Sequence, residues 1–126
     1  MNKIEHNVAI LLNQLGFLNR YKFNDYTLPG RPDFTIADCK ALIFVNGCYW
    51  HRHQRKGCAN GSKISRKNSA YWEEEFLRIQ ERDKQNRATL VNEKWRLLTL
   101  WECDLGDSVL AKGLIRKFLV SQSNVG

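Results

Sequence analysis

The sequence predicts a single α/β domain of 126 residues, a mixed β-sheet with helices on its faces, in the order α-β-β-β-α-β-α. Two kinds of observation carry this. Apolar residues recur at helical spacing at both ends and in the middle of the chain, while the segments between them read as short apolar runs bounded by turn residues. The length suits one hydrophobic core, and neither an internal repeat nor a domain boundary breaks residues 1–126.

Ile4, Val8, Leu11, Leu12 and Leu15 lie on one face of a first helix that Gly16 ends. Phe17–Phe23 reads as a strand, and Asn24–Gly30 (NDYTLPG) as a turn-rich link. Phe34–Ala37 and Ala41–Val45 read as two strands of a hairpin, closed by a tight turn at Asp38–Lys40. Residues 46–68 form a long, polar, basic loop, and a loop of that length in a small domain is usually functional or disordered. Asn68 or Ser69 is placed to cap the second helix, with Glu73–Glu75 in its first turn, where the helix dipole favours acids. Trp72, Phe76, Ile79, Asp83 and Leu90 mark its inward face, and it runs to about Asn92. Trp95–Trp101 (WRLLTLW) reads as a buried strand with both tryptophans in the core. Asp107–Val120 reads as a last helix with the stripe Leu110, Leu114, Phe118, weakened slightly by Gly113.

The formal net charge is +7, and it is local. Arg52, Arg55, Lys56, Lys63, Arg66 and Lys67 fall between residues 51 and 67 with no acid among them, while the other 109 residues are nearly balanced. That is the footprint of a polyanion-binding surface, weighed against a solvated loop with no partner. No run of about 18 apolar residues suggests a membrane span, and the N-terminus reads as a helix and not a signal peptide. A cytosolic chain is expected, so the four cysteines point to metal or core roles before disulfides. No Gly-rich phosphate loop or cofactor motif points to a small-molecule enzyme.

The stretch CYWHRHQRKGC, Cys48 to Cys58, concentrates the chemistry. Tetrahedral zinc needs four N or S ligands. Cys48, Cys58 and either His51 or His53 are available in the loop, and spacing does not choose between the histidines. The fourth ligand is Cys103 or Cys39. Cys39 lies at the far end of the strand that leads to Cys48, about six residues at roughly 3.3 Å each, so Cys103 is the better ligand and Cys39 a structural residue. The alternative is two buried cysteines and unbound histidines. In LPGRPDF, Asp33 follows a proline at a strand start, a suitable place for a carboxylate that holds Mg2+, unless Pro32-Asp33 is turn chemistry alone. The Glu-x-Lys that often completes such a site is missing from the next strand, ALIFVNG.

Taken together, LPGRPDF, FVNGCYWH, NSAYW followed by ERD, and WRLLTLWEC resemble the very short patch repair endonucleases, DNA mismatch nicking enzymes of the restriction-endonuclease-like PD-(D/E)xK superfamily. The resemblance runs from about Ile4 to Leu105. It implies a restriction-endonuclease-like mixed sheet with a zinc-stapled loop, and a Mg2+-dependent endonuclease that nicks one strand of double-stranded DNA at a T:G mismatch. Asp33 matches the metal-binding aspartate, and Val45 a residue whose backbone carbonyl binds the metal. His51 matches the catalytic histidine, and Glu5 an acid that supports metal-bound waters. Cys48, His53, Cys58 and Cys103 match structural zinc ligands, which gives His53 to zinc and His51 to the phosphate. Tyr49, Trp50 and Trp72 match aromatics that wedge into the base stack; core packing is the alternative for Trp72. Arg52, Arg55, Lys56, Lys63, Arg66 and Lys67 would hold phosphates.

Three departures stand out. His53 and Cys58 are separated by more residues than in the family's best-known form. Asn46 stands where that form has a second active-site histidine. The chain starts almost at its first helix, where mismatch-repair members carry an extension that grips DNA. Two other functions fit the same residues. One is a restriction- or defence-type nuclease on matched DNA, directed by a repair or restriction-modification partner protein. The other is a zinc-stapled DNA-binding module without activity, which would not need Glu5, Asp33 and His51 together.

Overall fold

The computed structural model describes residues 1–48 and 69–121. Helix α1 (Lys3–Gln14) starts at a capping box: the Asn2 side chain accepts from the Glu5 N–H, and the Glu5 carboxylate accepts from the Asn2 N–H, each at 2.9 Å. It ends as expected at Gly16, left-handed at φ +91°, where the Phe17 N–H reaches back to the Leu12 carbonyl at 3.0 Å. Strand β1 is only Lys22–Phe23, shorter than the expected Phe17–Phe23. Its first half is a turn: the Arg20 N–H donates to the Phe17 carbonyl, and Asn19 sits at φ +65°, which no strand accommodates.

Strands β2 (Phe34–Ile36) and β3 (Ala41–Asn46) form the predicted hairpin, joined by a single 3-10 turn, Ala37–Cys39, with Lys40 left-handed. Helix α2 (Ser69–Asn92) then crosses to β4 (Arg96–Trp101), which pairs parallel to β3; a parallel neighbour requires a long crossover of this kind. Sheet order is β1-β2-β3-β4, antiparallel except for the last pair. A 3-10 segment, Glu102–Gly106, leads into α3 (Ser108–Val120), capped by the Asp107 carboxylate on two backbone N–H groups.

The sheet separates two apolar layers. On one face Val8 and Leu12 of α1 and Ile115 and Leu119 of α3 pack on Phe34, Ile36, Ala41, Ile43 and Leu100. On the other, Leu90 of α2 packs on Leu42 and Phe44 beside Leu28, Trp95 and Leu97. β3 is therefore covered on both faces, which explains its unbroken apolar run. β4 is less enclosed than expected: Leu100 is buried, but Trp95 and Trp101 are half-buried. Cys39 is a buried core residue.

Two further expectations are corrected. The buried stripe of α3 is Ala111, Ile115 and Leu119, one residue along from the predicted one; Leu110 and Leu114 are exposed and Phe118 half-buried. The two stripes are equally periodic, and the small Ala111 lets the backbone approach the sheet where Leu110 could not. Glu73–Glu75 fall in the second turn of α2, since Ser69 already lies in the helix. An Asn68 cap lies outside the described residues.

Candidate active site

β2 and β3 deliver their acidic and polar residues to one end of the sheet. Pro32 is buried and feeds Asp33 straight into β2, where its N–H donates to the Ile43 carbonyl at 3.1 Å. The Asp33 carboxylate is held by the Val45 N–H at 2.6 Å, short for a bond to a charged acceptor. A strand residue's N–H and C=O leave by the same edge, so the Val45 carbonyl lies on the edge that faces Asp33.

The third member arrives from 28 residues upstream. Glu5 lies in the first turn of α1, and its carboxyl meets that of Asp33. Burial, then hydrogen bonding and charge repulsion from Glu5, push the Asp33 carboxyl up to about 7, against the opposing pull of the Val45 N–H. Asp33 is thus a half-buried acid that resists ionising beside the half-buried carboxyl of Glu5. A hard divalent cation relieves that conflict, and its oxygen ligands are of the kind gathered here: two carboxylates and a backbone carbonyl. The donor set fits Mg2+. Asn46, next after Val45, is buried at the same strand end.

The second cluster forms where β3 and β4 run out. Asn46 pairs with Trp101, so Cys48 and Cys103 each stand two residues past the last matched pair of adjacent parallel strands. The Cys48 N–H donates to Glu102 Oε1 at 3.4 Å, drawing the two ends together. Cys48 is buried and Cys103 exposed, while Cys39 sits at the other end of β3, near the Ala41–Arg96 pair. Among the described residues no three His, Cys, Asp or Glu side chains converge as a metal-binding group. Trp72, in the first turn of α2, is half-buried between Tyr71 and Phe76 (ring centroids 5.1 and 6.2 Å), so part of its surface serves packing. Tyr49, Trp50, His51, Arg52, His53, Arg55, Lys56, Cys58, Lys63, Arg66 and Lys67 lie outside the described residues.

Sequence reasoning missed two residues beside these clusters. Glu102, whose carboxylate accepts from the Cys48 N–H, sits within the quoted WRLLTLWEC, but nothing in that motif gives it a role. Arg31 sits within the quoted LPGRPDF, yet only its backbone conformation sets it apart.

Comparison with known proteins gives the family. A family model described as DNA mismatch endonuclease Vsr matches residues 1–57, which include Glu5, Asp33, Val45 and Cys48. The type II nicking enzyme V.XorIIP of Xanthomonas oryzae pv. oryzae is 31% identical over 115 residues, covering 91% of this chain and 80% of that protein. The DNA mismatch endonuclease Vsr of Escherichia coli is 34% identical over 102 residues, covering 81% of this chain and 62% of that protein. The type II nicking enzyme V.NmeAIP of Neisseria meningitidis is 27% identical over 100 residues, 79% of this chain and 69% of that protein. A mixed sheet that gathers an acidic pair at one end, with relatives of these kinds, defines the class as DNA endonucleases. Within it, the chain belongs to the Vsr endonuclease family.

Proposed function

We propose that this chain is a Mg2+-dependent endonuclease that nicks one strand of double-stranded DNA in very short patch repair, with a T:G mismatch as its substrate. The observation that carries the reading is the Asp33–Glu5 acid pair, fixed by the Val45 N–H at the sheet end. When bound, Mg2+ would neutralise charge that develops on the phosphoryl oxygens. Asp33 and the Val45 carbonyl would be its protein ligands, and Glu5 would orient waters around it. The Val45 N–H fixes the Asp33 carboxylate in place, beside the carboxyl of Glu5.

His51, assigned by the family resemblance, would accept a proton from the attacking water as that oxygen bonds to phosphorus and one P–O ester bond breaks. A ring of ordinary pKa near 6.5 suits that task at neutral pH. With Asn46 in place of a second histidine, proton transfer rests on His51. Tyr49, Trp50 and Trp72 would open the base stack, a step of a few kcal/mol that a bent duplex offsets. Arg52, Arg55, Lys56, Lys63, Arg66 and Lys67 would neutralise phosphates. Structural zinc on Cys48, His53, Cys58 and Cys103 would order the loop; the meeting of the Cys48 and Cys103 strand ends supports it. Among the described residues no helix is long and apolar enough to cross a membrane, and we place the protein in the cytosol with its DNA.

The test is nicking of mismatched and matched plasmid in Mg2+ by the wild type, Asp33→Ala and His51→Ala. Loss of nicking in both variants is expected, and equal nicking by all three would sink the proposal. Cleavage of matched plasmid as fast as mismatched would assign the chain to restriction or defence, directed by a partner protein.

A further inference from the structure

On the α2 side of the sheet, close to Asp33 in the chain, lies an open cleft of about 500 Å³ lined by Gly30, Arg31, Arg82, Asp83 and Asn86. A small pocket that shares Gly30, Asp83 and Asn86 with it is also lined by Phe44, Asn46 and Arg87. One wall is the turn Leu28–Arg31, closed by the Arg31 N–H on the Leu28 carbonyl at 3.1 Å. Pro29 precedes Gly30 at φ +76°, the arrangement of a type II turn. The turn sits directly on α2: a Cβ on Gly30 would lie 3.2 Å from Asn86 Cβ and 3.4 Å from Phe44 Cε1. Arg31 is also left-handed, at φ +48°, although the following proline steers its neighbour to extended backbone. A strained non-glycine residue at a cleft is a reason to look for function.

The charges of the cleft point the same way. Arg31 and Arg82 are exposed, and among the described residues no carboxylate forms an ion pair with either. Arg31 instead lies over the Tyr26 ring, 5.2 Å from its centroid. Asp83, the carboxylate of the lining, has an interaction of its own, and with Arg87 the lining carries a net positive charge. Two open guanidiniums and an amide suit a singly charged phosphodiester. The position suits one as well. Only Pro32 separates Arg31 from Asp33, and Asn46 follows Val45, so cleft and acidic pair share one end of the β2–β3 hairpin.

We infer that Arg31 and Arg82, both outside the basic segment 51–67 in sequence, form a phosphate subsite for the DNA strand beside the cleaved bond. The inference rests on the nuclease reading above and adds a positioning site to it. It is tested by duplex binding of the full chain as purified, with no Mg2+ added, and with affinity followed across about 50 to 200 mM salt, where each lost phosphate contact lowers the log–log slope by about 0.9. Arg82→Gln, an exposed position on α2, should lower it by about 0.9, and Arg31→Gln with Arg82→Gln by about 1.8. Arg116→Gln with Lys117→Gln, on α3 across the sheet, should leave it unchanged. In nicking, Arg82→Gln should raise KM and leave kcat as it was. A wild-type slope in both cleft variants overturns the subsite while the nuclease reading stands. A wild type that neither binds nor nicks duplex overturns both.

Discussion

Replacing Asp33 with asparagine should make the metal-free protein more stable at neutral pH while abolishing nicking. Asparagine mimics the protonated acid: its oxygen can accept from the Val45 N–H, and its amide can donate to Glu5. The wild-type carboxyl titrates at about 7 in the fold against an ordinary 3.8. Because the folded pKa is raised, the native state binds more protons than the unfolded chain between those values, and stability falls as pH rises through that window. Over the whole window this amounts to about 4 kcal/mol, of which about 3 kcal/mol is lost between pH 5 and 8. For a domain of this size that is a fall of roughly 10 °C in Tm. Thermal melts without added Mg2+ across this range should show wild type declining and Asp33→Asn holding nearly level, so the gap between them widens with pH. Mg2+ should then raise wild-type stability most at the alkaline end, where Asp33 is ionised, and leave the variant unmoved. A gap that stays constant from pH 5 to 8 would refute the reasoning, since it would mean that Asp33 is already ionised in the fold at pH 5.

Other substitutions probe the frame. Gly30→Ala places a Cβ 3.2 Å from Asn86 in a left-handed turn, and should cost about 1–3 kcal/mol in urea unfolding. Arg96 donates to the Phe118 and Cys39 carbonyls at 2.7 and 3.2 Å and lies over the Phe118 ring, tying α3 to the β2–β3 turn; Arg96→Met should lower stability by about 2–3 kcal/mol, read in the same assay. Purified protein should carry one zinc per chain by elemental analysis, and Cys103→Ser should lower that content while keeping the α-helical circular dichroism of the core.

The order of elements was legible because each rests on local physics. The capped and glycine-ended α1 and the apolar β3 are cases in which pattern and packing agree. The α3 stripe was misplaced because periodicity fixes the spacing of a face and not its phase, which depends on how close Ala111 lets the helix come to the sheet. β1 shrank because a left-handed Asn19 does not show in an alternating pattern. In the site, Asp33 could be suspected from LPGRPDF, but its contact with Glu5 depends on α1 folding back across the sheet. No spacing encodes a pairing 28 residues apart; the family resemblance supplied it. Arg31 and Arg82 were invisible as a pair for the same reason, being 51 positions apart until the turn settles on α2.

Glu5 carries one further consequence. One of its oxygens secures the first turn of α1 through the Asn2 N–H, and its carboxyl also meets Asp33. Terminal turns are ordinarily the first part of a helix to fray, yet here that turn must hold an acid in register with a strand at the heart of the sheet. With Mg2+ bound as proposed, cation occupancy and end-fraying would become a linked equilibrium with one reciprocal coupling energy. Whatever loosens the first turn should then weaken the grip on the ion, and the ion in return should slow hydrogen exchange at the amides of Asn2 and Glu5. The start of the helix would thereby report the state of the active site.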